Sequence, residues 1–324
     1  MSAPLAMTLC GIAYAFPEDI QRFLGMAELT KSESWTAAWV PEERKGYFAY
    51  AATSPNSNDV VVAVRGTNPS LTEGFLWNLL SNVNVRSTSE WSPAVQGVRI
   101  AGGAREGLSV LLSIKDKHGR TLGDYLESVP RNATVVVTGH SLGGCLASVL
   151  ALHLSQAAGG RSQVKSITFA APTAGDEGFA KLFHETFPNA ERYFNPFDLV
   201  PRAWHDLSQF PDLYEAPGPK CPWLLARLAR RVNRKVSGHK YTHPGPGKPL
   251  PTPGGALPER PARRGVKAGV DRLLRRHFLL EALHHHVPNT YLALLGAKEL
   301  PFPLPLPWLF RNVRRRLSRL WPWR

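Results

Sequence analysis

A strand that turns into a helix at a single serine constrains this chain more than any other feature. Residues 134–138, Thr-Val-Val-Val-Thr, predict a buried strand, whereas residues 142–155 are small or apolar and predict a helix. Gly139 and Gly143 stand two residues either side of Ser141, where they omit the Cβ atoms that would clash in a sharp turn. The turn places Ser141 at a helix N-terminus, whose N–H groups and dipole favour developing negative charge. Ser141 is therefore the candidate nucleophile of an acyl-transfer site.

Two further strands are predicted upstream, at residues 46–52 and 60–64, on either side of a turn-rich segment. The second strand ends in Arg-Gly-Thr, with Thr67 in last place. A strand end at this position is well placed to supply half of an oxyanion hole. We expect Thr67 to offer a backbone N–H and a hydroxyl, and Leu142 to offer the second backbone N–H.

The serine needs a base and a carboxylate, which follow it in the chain. Asp198 comes just after a predicted strand at residues 192–195 and has apolar neighbours, which is where a carboxylate that orients a histidine should stand. Asp176 and Asp212 remain open alternatives in turn-like surroundings. One of the three consecutive histidines at 284–286 should be the base, because serine, aspartate and histidine then follow the order typical of an α/β hydrolase.

A metal site is disfavoured at the histidine triplet, because neither cysteine nor a pair of carboxylates stands near it. The chemistry expected of Ser141 requires no metal and no organic cofactor. The three cysteines of the chain are too few and too far apart for a disulfide framework.

Positive charge is concentrated in the last third of the chain. The net charge is +14, and residues 201–324 hold 23 Lys and Arg against 7 Asp and Glu, whereas residues 1–200 hold 16 against 18. Residues 221–236 predict a basic amphipathic helix, with Leu224, Leu225, Leu228 and Val232 on one face and Arg227, Arg230, Arg231 and Arg234 on the others. A Pro/Gly-rich loop follows at residues 243–261. We interpret residues 216–276 as a basic insertion in the cap region of a single domain spanning residues 1–299.

The tail at residues 300–324 is rich in proline and then in arginine and tryptophan. Such a segment suits an anionic membrane surface, where indoles lie at headgroup depth and guanidinium groups meet phosphates. For about the last dozen residues, a frayed, solvated tail is at least as well supported. Nucleic-acid binding is disfavoured because no recognisable module is present. The candidate membrane contacts are Trp308, Arg314, Arg315, Arg316, Trp321 and Trp323.

An apolar cluster lies at residues 70–85, soon after the predicted oxyanion strand. It predicts either a lid or acyl-site wall, or an ordinary core helix. The candidate lid residues are Phe75, Leu76, Trp77, Leu79 and Leu80. The apolar N-terminus at residues 1–16 lacks the positive charge of a signal peptide, so we interpret it as a first helix. No run of 18 apolar residues is present, and we expect a protein that is cytoplasmic or peripheral to a membrane.

These segments together resemble the class 3 lipases, the fungal-type lipase family of α/β hydrolases, and in particular its bacterial members. The matching motifs are Val64-Arg-Gly-Thr67, Trp77-Asn-Leu79, Gly139-His-Ser-Leu-Gly-Gly144, Thr168-Phe-Ala-Ala-Pro172 with Gly175-Asp176, and Asn195 to Pro201. The resemblance implies an α/β-hydrolase fold with a central, mostly parallel sheet flanked by helices. It also supports Thr67 and Asp198 in their roles. Because the catalytic histidine of the family precedes a tyrosine by about five residues, it selects His286, which precedes Tyr291.

The chain departs from the family in two places. The family's H-x-G-F before the elbow either appears here as Gly103-Ala-Arg105 or is absent. The basic insertion and the tail lie outside the resemblance. The expected function is a serine carboxylester hydrolase acting on lipid esters, of the triacylglycerol lipase or phospholipase A type. The alternatives are a soluble short-chain or aryl esterase and a non-enzymatic membrane- or nucleic-acid-binding protein on a hydrolase fold. Because the base must be neutral, hydrolysis should weaken as the pH drops through the ordinary histidine range near 6.5.

Overall fold

The computed structural model describes residues 1–66, 84–92, 95–157, 163–214, 219–251 and 278–302. Its central feature is a seven-stranded sheet in the order β1-β2-β3-β6-β7-β8-β9. The strands are β1 (Thr36–Trp39), β2 (Ala49–Thr53), β3 (Asp59–Val64), β6 (Thr134–His140), β7 (Val164–Phe169), β8 (Glu191–Phe194) and β9 (Lys248–Pro249). The pairs β1/β2 and β2/β3 are antiparallel, and every pair from β3 onward is parallel. A mostly parallel sheet was expected, and the structure confirms it.

The valine runs of β3 and β6 explain why these strands lie in the middle of the sheet. Val61 pairs with Val136 and Val62 with Val137, and all four side chains are buried. Successive side chains of a strand point to opposite faces. Val62 and Val137 accordingly join one apolar core, and Val61 and Val136 join a second core on the other face. Strands buried on both faces are typical of parallel sheets covered by helices.

Helices cover each face of the sheet. The first core receives α4 (Gly102–Ser113), α5 (Leu122–Glu127), α6 (Leu142–Gln156), α7 (Glu177–Thr186), α8 (Trp223–Val236) and α9 (Phe278–His286). The second core receives α1 (Ala3–Ile12), α2 (Ile20–Leu24), α3 (Glu28–Ser32) and α10 (Pro288–Leu294). The predicted N-terminal helix is confirmed as α1, whose residues 5–12 are all buried. Two short helices follow it, because Gly25 ends α2 and a new helix begins at Glu28.

A two-stranded sheet, formed by β4 (Thr88–Ser92) and β5 (Val95–Ala101), was not predicted. The β5 end is fixed to the loop after β7, since the Ala101 N–H donates to the Ala174 carbonyl at 2.9 Å. The Gly103-Ala-Arg105 segment lies in the first turn of α4, which begins at Gly102.

The basic insertion contributes to the main core and to the sheet. The predicted basic helix is confirmed as α8, but Leu224 is 59% exposed and lies off the buried face. The buried residues are Leu225, Ala226, Ala229, Val232 and Val236. Residues 243–261 were expected to be loop throughout, yet Lys248 pairs with Tyr193 and makes β9 the edge strand beyond β8. Proline is tolerated there because an edge strand has free backbone positions.

Several predicted residues lie outside the described ranges. They are Thr67, the candidate lid residues Phe75, Leu76, Trp77, Leu79 and Leu80, and the tail residues Trp308, Arg314, Arg315, Arg316, Trp321 and Trp323. In the described ranges, no helix combines the length and the apolar character that crossing a bilayer requires.

Candidate active site

The strand-to-helix turn at Ser141 has the tight geometry that its glycines predict. Strand β6 ends at His140, α6 begins at Leu142, and Ser141 between them has φ 63° and ψ −134°. Its N–H donates to the Phe169 carbonyl of β7 at 2.9 Å, which holds the strained residue in place. A Cβ at Gly139 would collide with the carbonyl of Gly143, and one at Gly143 would collide with the carbonyl of Val64. Both positions therefore require glycine.

Ser141, His286 and Asp198 meet at the carboxyl edge of the sheet. The Nε2 atom of His286 lies 2.8 Å from Ser141 Oγ, and its Nδ1 atom lies 2.8 Å from Asp198 Oδ2. A carboxylate can only accept, so Nδ1 carries the proton and the Nε2 lone pair faces the serine hydroxyl. All three side chains are buried. This arrangement can withdraw the hydroxyl proton and make Ser141 a nucleophile.

The structure also places the alternatives that the sequence left open. Asp176 caps α7, where its carboxylate accepts the Phe179 N–H at 2.9 Å, and Asp212 ends a short 3₁₀ turn. Of the three histidines, His286 is the one that contacts Ser141 Oγ. The triplet forms the last turn of α9.

Tyr291 and a backbone amide fix the Asp198 carboxylate. The Tyr291 hydroxyl donates to Asp198 Oδ2 at 2.7 Å and accepts the Asn195 N–H at 3.0 Å. The second oxygen, Oδ1, accepts the Val200 N–H at 2.9 Å. Burial, and next the negative charge of Asp198, raise the pKa of Tyr291 well above its usual value. Tyr291 is therefore a permanent donor that orients the carboxylate toward His286.

A second tyrosine and a second histidine support His286 through its backbone carbonyl. His140 Nε2 donates to the His286 carbonyl at 2.8 Å, since a carbonyl can only accept. Burial lowers the pKa of His140 well below its usual value, and the neighbouring His286 lowers it further. The ring is thus neutral, and its Nδ1 atom accepts the Tyr14 hydroxyl at 2.9 Å. Sequence reasoning missed Tyr14, because nothing in the local pattern of the first helix indicates a contact 126 residues away.

His285 takes part in a separate buried cluster behind the Asp198 loop. The Asn195 side-chain amide donates to the His285 carbonyl at 3.1 Å and lies 3.2 Å from His285 Nδ1. An amide N–H₂ can only donate, so Nδ1 accepts and Nε2 carries the ring proton, 3.3 Å from Glu281 Oε1. Tyr214 stacks on the ring at 5.7 Å. His285 therefore contributes to the loop that carries Asp198 rather than to the serine.

The backbone next to Ser141 leaves one N–H that could donate to an oxyanion. As the first residue of α6, Leu142 has no acceptor within the helix for its N–H. The chain beyond β3 reaches the turn at Gly66, where a Cβ would come within 2.6 Å of the His140 carbonyl oxygen and 3.0 Å of Ser141 Cβ. Thr67 follows Gly66 directly and lies outside the described residues. Among the described residues, no group of three or more His, Cys, Asp or Glu side chains could hold a metal ion.

The sheet order and the elbow after β6 define an α/β hydrolase. Residues 61–207 match the family model of the class 3 lipases. Over 72 residues, or 22% of this chain, it is 38% identical to a lipase of Caenorhabditis elegans, of whose length the match spans 20%.

Two solved structures show the same fold over most of the chain. The M37 lipase has a TM-score of 0.75 at 22% identity, with 91% of this chain and 93% of that chain covered. The mono- and diacylglycerol lipase from Aspergillus oryzae has a TM-score of 0.53 at 16% identity, with 78% and 80% covered. At these identities the likeness concerns the fold.

Proposed function

We propose that this protein is a serine carboxylester hydrolase that acts on lipid esters. The observation that carries the proposal is the buried chain of contacts from Ser141 Oγ through both ring nitrogens of His286 to Asp198, with 2.8 Å at each step. The distances lie within hydrogen-bond range, and the unprotonated Nε2 atom faces the hydroxyl.

In the proposed reaction, His286 takes the Ser141 proton while Oγ attacks the ester carbonyl. The negative charge that develops on the carbonyl oxygen is received by the N–H of Leu142 and by Thr67. Asp198 stabilises the imidazolium that forms. His286 then returns the proton to the departing alcohol, and water, activated by the same histidine, hydrolyses the acyl-enzyme.

A lipid ester is favoured as the substrate by the match of residues 61–207 to the class 3 lipase model and by the burial of the site. Ser141 is only 1% exposed, so an ester reaches Oγ after the surrounding chain has moved. A lid at residues 70–85 would supply that movement, and this remains a prediction. The excess of positive charge in residues 201–324 favours a substrate presented on an anionic surface, with the tail residues Trp308 and Arg314 to Arg316 as further contacts. The enzyme would then work peripherally on a membrane.

The test compares hydrolysis of p-nitrophenyl butyrate and p-nitrophenyl palmitate by the wild type and by Ser141→Ala, with and without anionic vesicles. We expect Ser141→Ala to lower kcat/KM on both esters by about 10⁴-fold or more, because the nucleophile is lost. Vesicles should accelerate only palmitate hydrolysis by the wild type.

Other outcomes would revise the proposal in defined ways. Faster turnover of butyrate than of palmitate, unaffected by vesicles, would indicate a soluble short-chain esterase. Equal inertness of the wild type and Ser141→Ala on both esters would contradict hydrolysis and leave a binding protein on a hydrolase fold.

A further inference from the structure

Helix α8 presents one face that is both cationic and apolar. With 100° between successive residues of an α-helix, its exposed residues fall within an arc of about 140°. This arc, called the basic face of α8 below, consists of Trp223, Leu224, Arg227, Arg230, Arg231, Arg234 and Lys235. The buried residues Leu225, Ala226, Ala229, Val232 and Val236 lie on the opposite side.

The charge of this face is uncompensated. No Asp or Glu occurs in α8, and among the described residues none of its five cations makes an ion pair. A surface helix that is merely solvated usually mixes charges of both signs along its exposed side. A run of cations alone requires an anionic partner or repels itself.

Trp223 and Leu224 identify the kind of anion. Their side chains are 67% and 59% exposed, at the start of the same face. Single exposed apolar residues are ordinary, but an indole and a leucine beside five arginines and lysines match a lipid interface. There the indole lies at headgroup depth and the cations meet lipid phosphates. A nucleic acid would use the cations and leave the leucine without an apolar partner.

Helix α8 is already folded and packs on the main core through Leu225, Ala229 and Val232, so docking requires no folding step. His239 and Tyr241 follow α8 in the chain. The Tyr241 hydroxyl donates to the Val85 carbonyl at 2.9 Å, and His239 Nε2 donates to the Arg86 carbonyl at 3.0 Å. Val85 ends the segment in which the lid is predicted, and Arg86 follows it directly. The Asn233 side chain accepts the Leu207 N–H at 3.5 Å, nine residues beyond Asp198. The basic face is thus tied to two parts of the chain that border the candidate active site.

We propose that the basic face of α8 docks on the surface of an anionic lipid bilayer. Docking would present an ester in the bilayer to Ser141, and only this consequence rests on the proposed function. Binding itself requires no catalysis, and it is measured in the absence of turnover.

The experiment uses the full chain carrying Ser141→Ala, cosedimented with vesicles of phosphatidylcholine that contain about 30% phosphatidylglycerol or none. Each cation near an anionic leaflet strengthens binding about fivefold, so Arg227→Gln/Arg231→Gln/Arg234→Gln should weaken it on the order of 100-fold. The matched control, Lys31→Gln/Lys117→Gln/Lys165→Gln, removes three exposed cations from other elements and should change binding less than fivefold. Trp223→Ser/Leu224→Ser should weaken vesicle binding about 10-fold or more, because both apolar contacts are lost, and leave heparin binding unchanged.

Three results would overturn the proposal. Equal loss in the basic-face variant and the control would show an effect of net charge alone. Unchanged vesicle binding in the basic-face variant would place the contact elsewhere, as in the tail. Binding of duplex DNA as tight as vesicle binding and indifferent to Trp223→Ser/Leu224→Ser would indicate a polyanion surface. In chains that retain Ser141, hydrolysis of soluble p-nitrophenyl butyrate should be unchanged by the α8 substitutions, which separates a failure of docking from a failure of the proposed hydrolase.

Discussion

Tyr291→Phe removes one oxygen atom that joins two parts of the site. In the wild type this hydroxyl donates to Asp198 Oδ2 at 2.7 Å and accepts the Asn195 N–H at 3.0 Å. A hydrogen bond to a buried carboxylate contributes about 1.5–3 kcal/mol, and a buried N–H left without a partner costs about 1–3 kcal/mol. Since the phenyl ring still fills the space, we expect the free energy of unfolding to drop by about 3 kcal/mol.

The same substitution should also change catalysis. Asp198 would keep its contacts to His286 and to the Val200 N–H, but Oδ2 would lose the donor that fixes its direction. We expect kcat on p-nitrophenyl butyrate to fall about tenfold, equivalent to about 1.4 kcal/mol, with KM little changed. The carboxylate charge would be less dispersed and would stabilise the imidazolium better. The acid limb of the pH–rate profile should therefore move to higher pH.

Tyr50→Phe is the matched control. Tyr50 is fully buried, and its hydroxyl donates to the Leu9 carbonyl at 2.9 Å, far from Ser141 in the chain. It should lose stability, measured by urea unfolding, without a change in kcat or in the acid limb. If Tyr291→Phe and Tyr50→Phe give the same pH–rate profile as the wild type, Tyr291 does not orient Asp198 and the reasoning fails.

Three other predictions follow from the buried groups. Burial lowers the pKa of His140 and lowers that of His243 to about 3, so the unfolded chain binds protons that the native chain does not. Stability should be complete above about pH 6.5 and should decline below it, by at most about 2 kcal/mol per histidine at about pH 5; urea unfolding that is independent of pH would contradict this. Gly143→Ala should lower the free energy of unfolding by about 3 kcal/mol or more, because its Cβ meets the Val64 carbonyl; a protein as stable as the wild type would refute the tight elbow. His285→Phe should cost about 1–3 kcal/mol of stability and less than tenfold in kcat, whereas His286→Phe should abolish ester hydrolysis; the reverse order would exchange their roles.

The parts of the fold that follow from local sequence were predictable. The valine runs of β3 and β6 and the glycines around Ser141 fix a strand, a turn and a helix within a few residues of chain. Asp198 was predicted from its place after a strand and between apolar neighbours, and the resemblance to the class 3 lipases selected His286 among the three histidines. The structure places the two side chains within hydrogen-bond distance of one another.

Contacts between distant segments could not be read in this way. The hydroxyl of Tyr14 reaches His140, and the amide of Asn195 reaches His285, through folding of the whole sheet. The β4/β5 hairpin depends on its attachment to the loop after β7. The prediction that Leu224 lies on the buried face was wrong because it considered only the large apolar residues. Ala226 and Ala229 are buried and small enough to bring α8 close to the core, which turns Leu224 outward.

The central claim is that Ser141 is a nucleophile activated by His286 and Asp198, and labelling by a p-nitrophenyl alkylphosphonate tests it most directly. An activated serine attacks phosphorus, expels p-nitrophenolate and keeps the phosphonyl group. Mass spectrometry of a digest should find one such group, on the peptide that contains Ser141, with labelling absent in Ser141→Ala and at least about 100-fold slower in His286→Phe. A wild-type chain that stays unlabelled, or that is labelled at the same rate without His286, would contradict the account.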